Sequence, residues 1–378
     1  MVGNELSQSC KVVASLYYQE NRNTMIYVLS IDWLSVFGIY AGEGDVWHPV
    51  ETPEFSYKQE SFGTRCFSRF HRVRIANPEG GWDEFAEVQS IPYSSILPPY
   101  AIIVRFVNRV LYMPDFWEVV NRFLSINQIE IRGISRIDIC ADFNQFATMD
   151  PKALIEGFAA KKYRHIGRGV GSLGFNHGVI NGDYGVNYTG LTFGTHSSDA
   201  HVYLYDKTFE LLTQGDKPWI KERWKRVGLD MRRVWRLEVS IKSQGLKFKD
   251  KATKKVVEIG ADMVAEDASL DKIYHTFVKK LFSFVVNKRD IKNISREPRL
   301  VLFEDKPAFD RGSISNLSPG NRMERILVRT LWQAADKYRG MWQERNETQY
   351  LATSIAQSTG LYDWMQDKIN EWETPIHK

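Results

Sequence analysis

The sequence predicts an α+β fold, with a central, largely antiparallel sheet carrying the functional residues, helices flanking it, and a helical C-terminal part. Three observations lead there. The strand-like stretches alternate in polarity instead of running as unbroken Val/Ile segments, which marks half-exposed antiparallel strands. Helical periodicity appears between them, as in Phe116, Val119, Val120, Phe123 and Leu124. Residues 190–207 read as a β-hairpin: a short apolar strand, a polar turn rich in Ser and Asp, then a second alternating strand.

Taken in order, an N-terminal segment (1–24) precedes a main domain (25–310) and a C-terminal helical region (311–378). Residues 24–40 are rich in β-branched and aromatic side chains and read as strand, as do 65–75 and 101–106. In 65–75 Arg69 and His71 interleave with aromatics, a composition that stacks or clamps nucleic acid and equally suits an exposed basic edge strand. Residues 77–81 form a turn, 113–128 an amphipathic helix, and 129–143 a strand. Asp150 caps a further helix, with Pro151 at its first position. The dense glycines between Gly167 and Gly190 lack a phosphate-loop pattern and read as a flexible loop. A short helix follows the hairpin, then a strand over 234–241, an exposed basic loop over 247–255, and helices over 271–286, 322–338 and 348–372.

Composition narrows the class. With 378 residues, 43% hydrophobic and 13% aromatic, the chain has enough apolar surface for a folded core. Cys10, Cys66 and Cys140 show neither metal-ligand spacing nor an even framework, which points to a reducing, cytoplasmic compartment. No apolar run approaches the roughly 20 residues of a membrane helix, and no secretion signal is visible. Net charge is only +4, but 213–340 holds 29 Lys/Arg against 17 Asp/Glu. That asymmetry fits a polyanion-facing half, or an ordinary solvated surface.

Three stretches carry chemistry. In the hairpin, His201, Tyr203 and Tyr205 share one strand face, followed by Asp206 and Lys207. In 136–142 period two places Arg136, Asp138, Cys140 and Asp142 on one face, and Arg236 and Glu238 share a face in the same way. Several carboxylates on one sheet face need a cation: either Mg²⁺ or Mn²⁺, or the arginines in a structural network. Tyrosines at this spacing are also ordinary half-buried packing residues.

The ordered set Arg-x-Asp-x-x-x-Asp (Arg136, Asp138, Asp142), Tyr-Asp-Lys (Tyr205, Asp206, Lys207) and Arg-x-Glu (Arg236, Glu238) resembles the replication initiation factor family, as does the strand around Ile31–Val36. That family includes rolling-circle plasmid initiators of the staphylococcal type, related integrative-element relaxases and filamentous phage initiators. The resemblance implies a metal-dependent DNA nicking and closing enzyme, acting through a phosphotyrosine intermediate on an origin hairpin that is single-stranded at the nick. It also implies a homodimer and a host helicase as partner. On that reading Tyr205 is the nucleophile and Tyr203 its reserve. Asp138, Asp142, Glu238 and His201 are metal ligands for Mg²⁺ or Mn²⁺, with Glu238 or His201 as base. Lys207, Arg136 and Arg236 hold phosphate. Arg69, Arg232, Arg233, Lys288 and Arg289 are further DNA contacts, and Asp32 is a further candidate to reach the site. The chain lacks a His-hydrophobic-His pair, since His201-Val202-Tyr203 carries only its first member. Two rivals stand beside this reading: a non-catalytic DNA-binding regulator, with Tyr205 buried and the carboxylates salt-bridged, and a phosphodiesterase that activates water.

Overall fold

The computed structural model describes residues 25–44, 46–93, 97–98, 100–167, 171–180, 183–195, 198–288 and 294–312. The N-terminal segment, the helices expected over 322–338 and 348–372, and Arg289 lie outside these residues. The chain divides into a unit formed by Met1–Tyr93 with Pro98–Ser313 and a second formed by Ser94–Leu97 with Ile314–Lys378. Almost all the described residues belong to the first.

Alternating polarity produces the antiparallel sheet that the sequence predicts. Its strands are Tyr27–Tyr40 (β1), Phe55–Gln59 (β2), Phe67–Ala76 (β3), Trp82–Pro92 (β4), Ala101–Phe106 (β5), Ile129–Phe143 (β6), Gly171–Ile180 (β8), Asp183–Phe193 (β9), Ala200–Asp206 (β10) and Trp235–Lys242 (β11). They lie in the order β2-β3-β4-β5-β1-β6-β11-β10-β9-β8, every neighbouring pair antiparallel. Tyr163–His165 (β7) pairs instead with Phe284–Val286 (β14), and Lys247–Asp250 (β12) pairs with Val256–Glu258 (β13) and Arg311–Gly312 (β15).

Among the described residues, six α-helices accompany the strands: Phe116–Ile126 (α1), Pro151–Ala159 (α2), Lys207–Gln214 (α3), Pro218–Val227 (α4), Ala261–Ala265 (α5) and Asp267–Leu281 (α6). Asp150 caps α2 as its sequence predicts, accepting from the Lys152 and Ala153 amides at 2.8 and 3.3 Å. Asp206 caps α3, its Oδ1 accepting from the Phe209 amide at 2.9 Å. One sheet face is apolar: Leu34, Ile137, Leu237, Val239 and Val202 are fully buried there. They form one cluster with Phe116 and Phe123 of α1, Leu154 and Ile155 of α2, and Tyr274 and Phe277 of α6. A smaller cluster joins Val28 to Leu211 of α3 and to Ile220 and Trp224 of α4.

Three expectations change. The glycine-rich 167–190 stretch is mostly the β8–β9 hairpin, not a flexible loop. Its glycines allow close backbone approach: a Cβ on Gly190 would stand 2.8 Å from the Leu204 carbonyl oxygen, and a register shift follows Gly174 opposite it. The basic 247–255 stretch opens with β12, where Phe248 is buried between Lys247 and Lys249. The helix expected over 271–286 ends at Leu281, and its last residues become β14.

Candidate active site

The registers of β6, β11 and β10 stack the candidate residues in three rows. Asp142 lies opposite Arg236 and Arg236 opposite Tyr205. Cys140, Glu238 and Tyr203 form the second row, and Asp138, Ser240 and His201 the third. Directly opposed residues of an antiparallel pair share a face, so all nine side chains project from the face opposite the apolar cluster.

Arg236 anchors the first row. It is fully buried and its Nε and Nη2 donate to Asp142 Oδ1 and Oδ2 at 2.6 and 2.7 Å. Its Nη1 donates to Asp32 Oδ1, and its Nη2 also reaches Tyr112 Oη at 3.2 Å. Asp32 reaches this network because β1 carries a bulge between Ile31 and Trp33, one extra residue that re-aims a side chain. Tyr112 and Asn108 donate to Asp32 Oδ1 at 3.0 and 3.1 Å, and Trp224 Nε1 donates to Asp142 Oδ2 at 2.7 Å. Burial alone would raise the Asp32 pKa, but Arg236, Lys207 and Lys217 together hold it well below the usual carboxylate range.

Glu238 of the second row reaches across to Tyr205 of the first. Tyr205 Oη donates to Glu238 Oε2 at 3.0 Å. Burial, reinforced by the charges of Asp32 and Asp138, pushes the Glu238 pKa up to about 7 against the pull of Arg236. Burial and the Glu238 charge likewise push Tyr203 up to about 12 and Tyr205 well above its ordinary value. Both tyrosines are half-buried, not sealed in the core. Lys207 Nζ lies 5.5 Å from the Tyr205 ring centroid; its side chain is only 1% exposed and pairs with Glu210 at 2.6 Å.

In the third row Asp138 is gripped by Arg136, Nε to Oδ1 at 2.9 Å and Nη2 to Oδ2 at 2.5 Å. Burial raises the Asp138 pKa while this arginine opposes it. The Arg136 side chain is 37% exposed and stacks on the Trp33 ring at 4.5 Å. His201 is buried, its ring edge-on to Tyr203 at 4.7 Å.

The structure therefore brings together Tyr203, Tyr205, Glu238, Asp138, Asp142, Arg136, Arg236, Lys207 and His201. Arg236 and Lys207, read from sequence as phosphate ligands, are buried and committed to carboxylates, as is Asp142 to Arg236. Among the described residues no three His, Cys, Asp or Glu side chains form a group able to hold a metal ion. The four candidate ligands thus do not make a preformed metal centre, because Asp142 and Asp138 each give both oxygens to an arginine.

Other candidates lie elsewhere. Arg69 is on β3, with three strands between it and β6, and on the opposite face, since Arg72 and not Arg69 continues the row through Glu87, Arg105 and Ser35 to Arg136. His71 is buried against Trp47. Arg232 and Arg233 sit in the turn before β11, paired with Asp230 and Asp150; Lys288 pairs with Glu297 at 2.9 Å. Sequence reasoning missed Tyr112, Asn108 and Trp224, because no local pattern links them to partners 76 to 124 residues away.

No family model matches the chain, and no curated protein does. One solved structure that matches is described as "Structure of Rolling Circle Replication Initiator Protein from Geobacillus stearothermophilus", at 15% identity over 72% of this chain and 92% of that one, with a TM-score of 0.40. Similarity at that level assigns neither family nor activity. No helix among the described residues is long and apolar enough to cross a membrane.

Proposed function

We propose that this face nicks and rejoins DNA through a tyrosine ester, as a replication initiator or relaxase does. The observation that carries the proposal is the Tyr205–Glu238 pair: a nucleophile hydrogen-bonded to a carboxylate whose pKa, about 7, suits a general base at neutral pH. Tyr205 Oη attacks the scissile phosphorus while its proton passes to Glu238. The new O–P bond forms as the P–O3′ bond breaks, and the departing 3′ oxygen takes a proton, leaving a free 3′ hydroxyl and a 5′ phosphotyrosine. The reverse sequence rejoins the strand, because the ester conserves the energy of the broken bond. Arg136, the half-exposed cation of the cluster, faces the phosphate; Arg236 and Asp142 position β11 against β6. Tyr203, one row over, is the reserve nucleophile. A homodimer and a host helicase belong to this reading on the motif resemblance alone.

The paired carboxylates favour a second reading. With Asp142 and Asp138 both bound to arginines, the same scaffold suits a DNA-binding regulator without catalysis.

The deciding experiment incubates the protein with single-stranded oligonucleotides from its own origin, with and without Mg²⁺ or Mn²⁺, and resolves the products on a denaturing gel. A covalent adduct lost in Tyr205→Phe and kept in Tyr203→Phe supports the proposal. Cleavage without adduct means a water-using phosphodiesterase. Binding without cleavage leaves the regulator.

A further inference from the structure

Among the described residues, part of the basic excess of 213–340 gathers around one cavity. A cavity of about 570 Å³ opens at the C-terminal end of α6, lined by Lys251, Lys279, Lys280, Arg299 and Arg311 with a single carboxylate, Asp310. The cavity belongs to the helix-covered side of the sheet, since α6 packs Tyr274 and Phe277 into the apolar cluster. It is therefore separate from the Tyr205 face.

The walls are fixed before any ligand arrives. The Arg311 guanidinium stacks on Phe277 at 4.5 Å and on Phe248 at 5.7 Å. Its Nη2 donates to the Gly245 carbonyl at 3.2 Å, while its buried Nε has no hydrogen-bond partner. The segment bearing Arg311 is pinned by the Phe309 amide, which donates to Thr276 Oγ1 of α6 at 2.8 Å, and by the Asp310 amide, which donates to Asp250 at 3.1 Å. Asp310 lies 3.6 Å from Lys251, the solvated Asp305 2.8 Å from Lys279, and the Asp199 charge acts on Arg311. Five cations against one carboxylate in the lining give the cavity a net positive field that attracts a further anion. A cavity of this size and sign suits phosphate oxygens, which accept from several lysines and arginines at once.

We infer that this cavity is a second phosphate-binding site, which holds the backbone of duplex DNA on the side of the molecule away from the tyrosines. The inference rests on the DNA reading of the previous section and adds the surface that engages the double-stranded flank. Contacts there are to phosphates, so they position the duplex without reading its sequence.

The test is the salt dependence of binding to a short random-sequence duplex, followed by fluorescence anisotropy, in wild type and in a Lys279→Gln/Lys280→Gln/Arg299→Gln variant. Each lost phosphate contact lowers the slope of log affinity against log salt by about 1, so the variant's slope is expected to fall by about 2 to 3. Arginine replacements at Lys279 and Lys280 are expected to keep the slope, which separates charge from folding. A charge-matched control, Lys58→Gln/Arg122→Gln/Arg132→Gln, is expected to leave it unchanged. An unchanged slope in the first variant, or an equal fall in the control, overturns the inference. So does stabilisation of the wild type by inorganic phosphate or a nucleotide while the duplex slope stays insensitive to the variant, which would identify a small phosphorylated ligand. Binding is read without cleavage: a falling slope in a protein that never nicks would refute the catalytic reading and keep this site.

Discussion

Replacing Arg236 with methionine isolates the ionic centre of the site. The side chain is fully buried, and its partner Asp142 is only 1% exposed. After Arg236→Met, Asp142 keeps one donor, Trp224 Nε1, and Asp32 keeps Tyr112 and Asn108. Breaking a buried pair while leaving its anion in place costs about 3–5 kcal/mol, most of it the uncompensated charge. Removing the anion as well, in Arg236→Met/Asp142→Leu, leaves the Trp224 indole N–H without an acceptor, at about 1–3 kcal/mol, with Asp32 deprived of its arginine in both variants alike. The double variant is therefore expected to be more stable than the single one, with a coupling energy of about 2 kcal/mol between the two sites. Urea unfolding monitored by tryptophan fluorescence measures all three variants, with constant m-values as the check that only stability has changed. A single variant within about 1 kcal/mol of wild type, or strict additivity in the double, would refute the claim that Arg236 and Asp142 hold β11 and β6 together by charge.

Two further perturbations probe the same face. Glu238 is protonated more readily in the folded chain than in the unfolded one, so its contribution to stability is present at low pH and is lost as pH rises from about 4.5 toward about 7. Glu238→Gln is expected to flatten that part of the stability profile and, on the nicking proposal, to remove the rise of rate through the same pH range at a loss of about 10²–10⁴-fold; a profile identical to wild type would count against the base assignment. Gly190→Ala places a methyl 2.8 Å from the Leu204 carbonyl oxygen, which forces β9 away from β10. A loss of about 1–3 kcal/mol in thermal unfolding is expected, and an unperturbed melting curve would mean the strands are looser than drawn.

Much of this was readable residue by residue. Period-two patterning placed Asp138 with Asp142 and Tyr203 with Tyr205, and the alternating strands predicted the antiparallel sheet. What could not be read was pairing. Nothing local says that Arg236 lies opposite Asp142, or that a bulge turns Asp32 toward both. The spacing of the carboxylates fitted an arginine network as well as a metal centre, and only the side-chain hydrogen bonds show each of Asp138 and Asp142 gripped by its own arginine. The β8–β9 hairpin was missed because its glycines serve close strand contact, whereas glycine density in sequence suggests a loop.

The sheet order has a consequence during synthesis. The strands from β1 to β6 can pair once residue 143 has emerged, but β6 then presents an unmatched edge until β11 follows, some 90 residues later. At about 5–20 residues per second that edge waits on the order of 5–20 s on the ribosome. Until then Asp142 has no arginine and Tyr205 lacks Glu238. The site closes only when the second half of the message has been read.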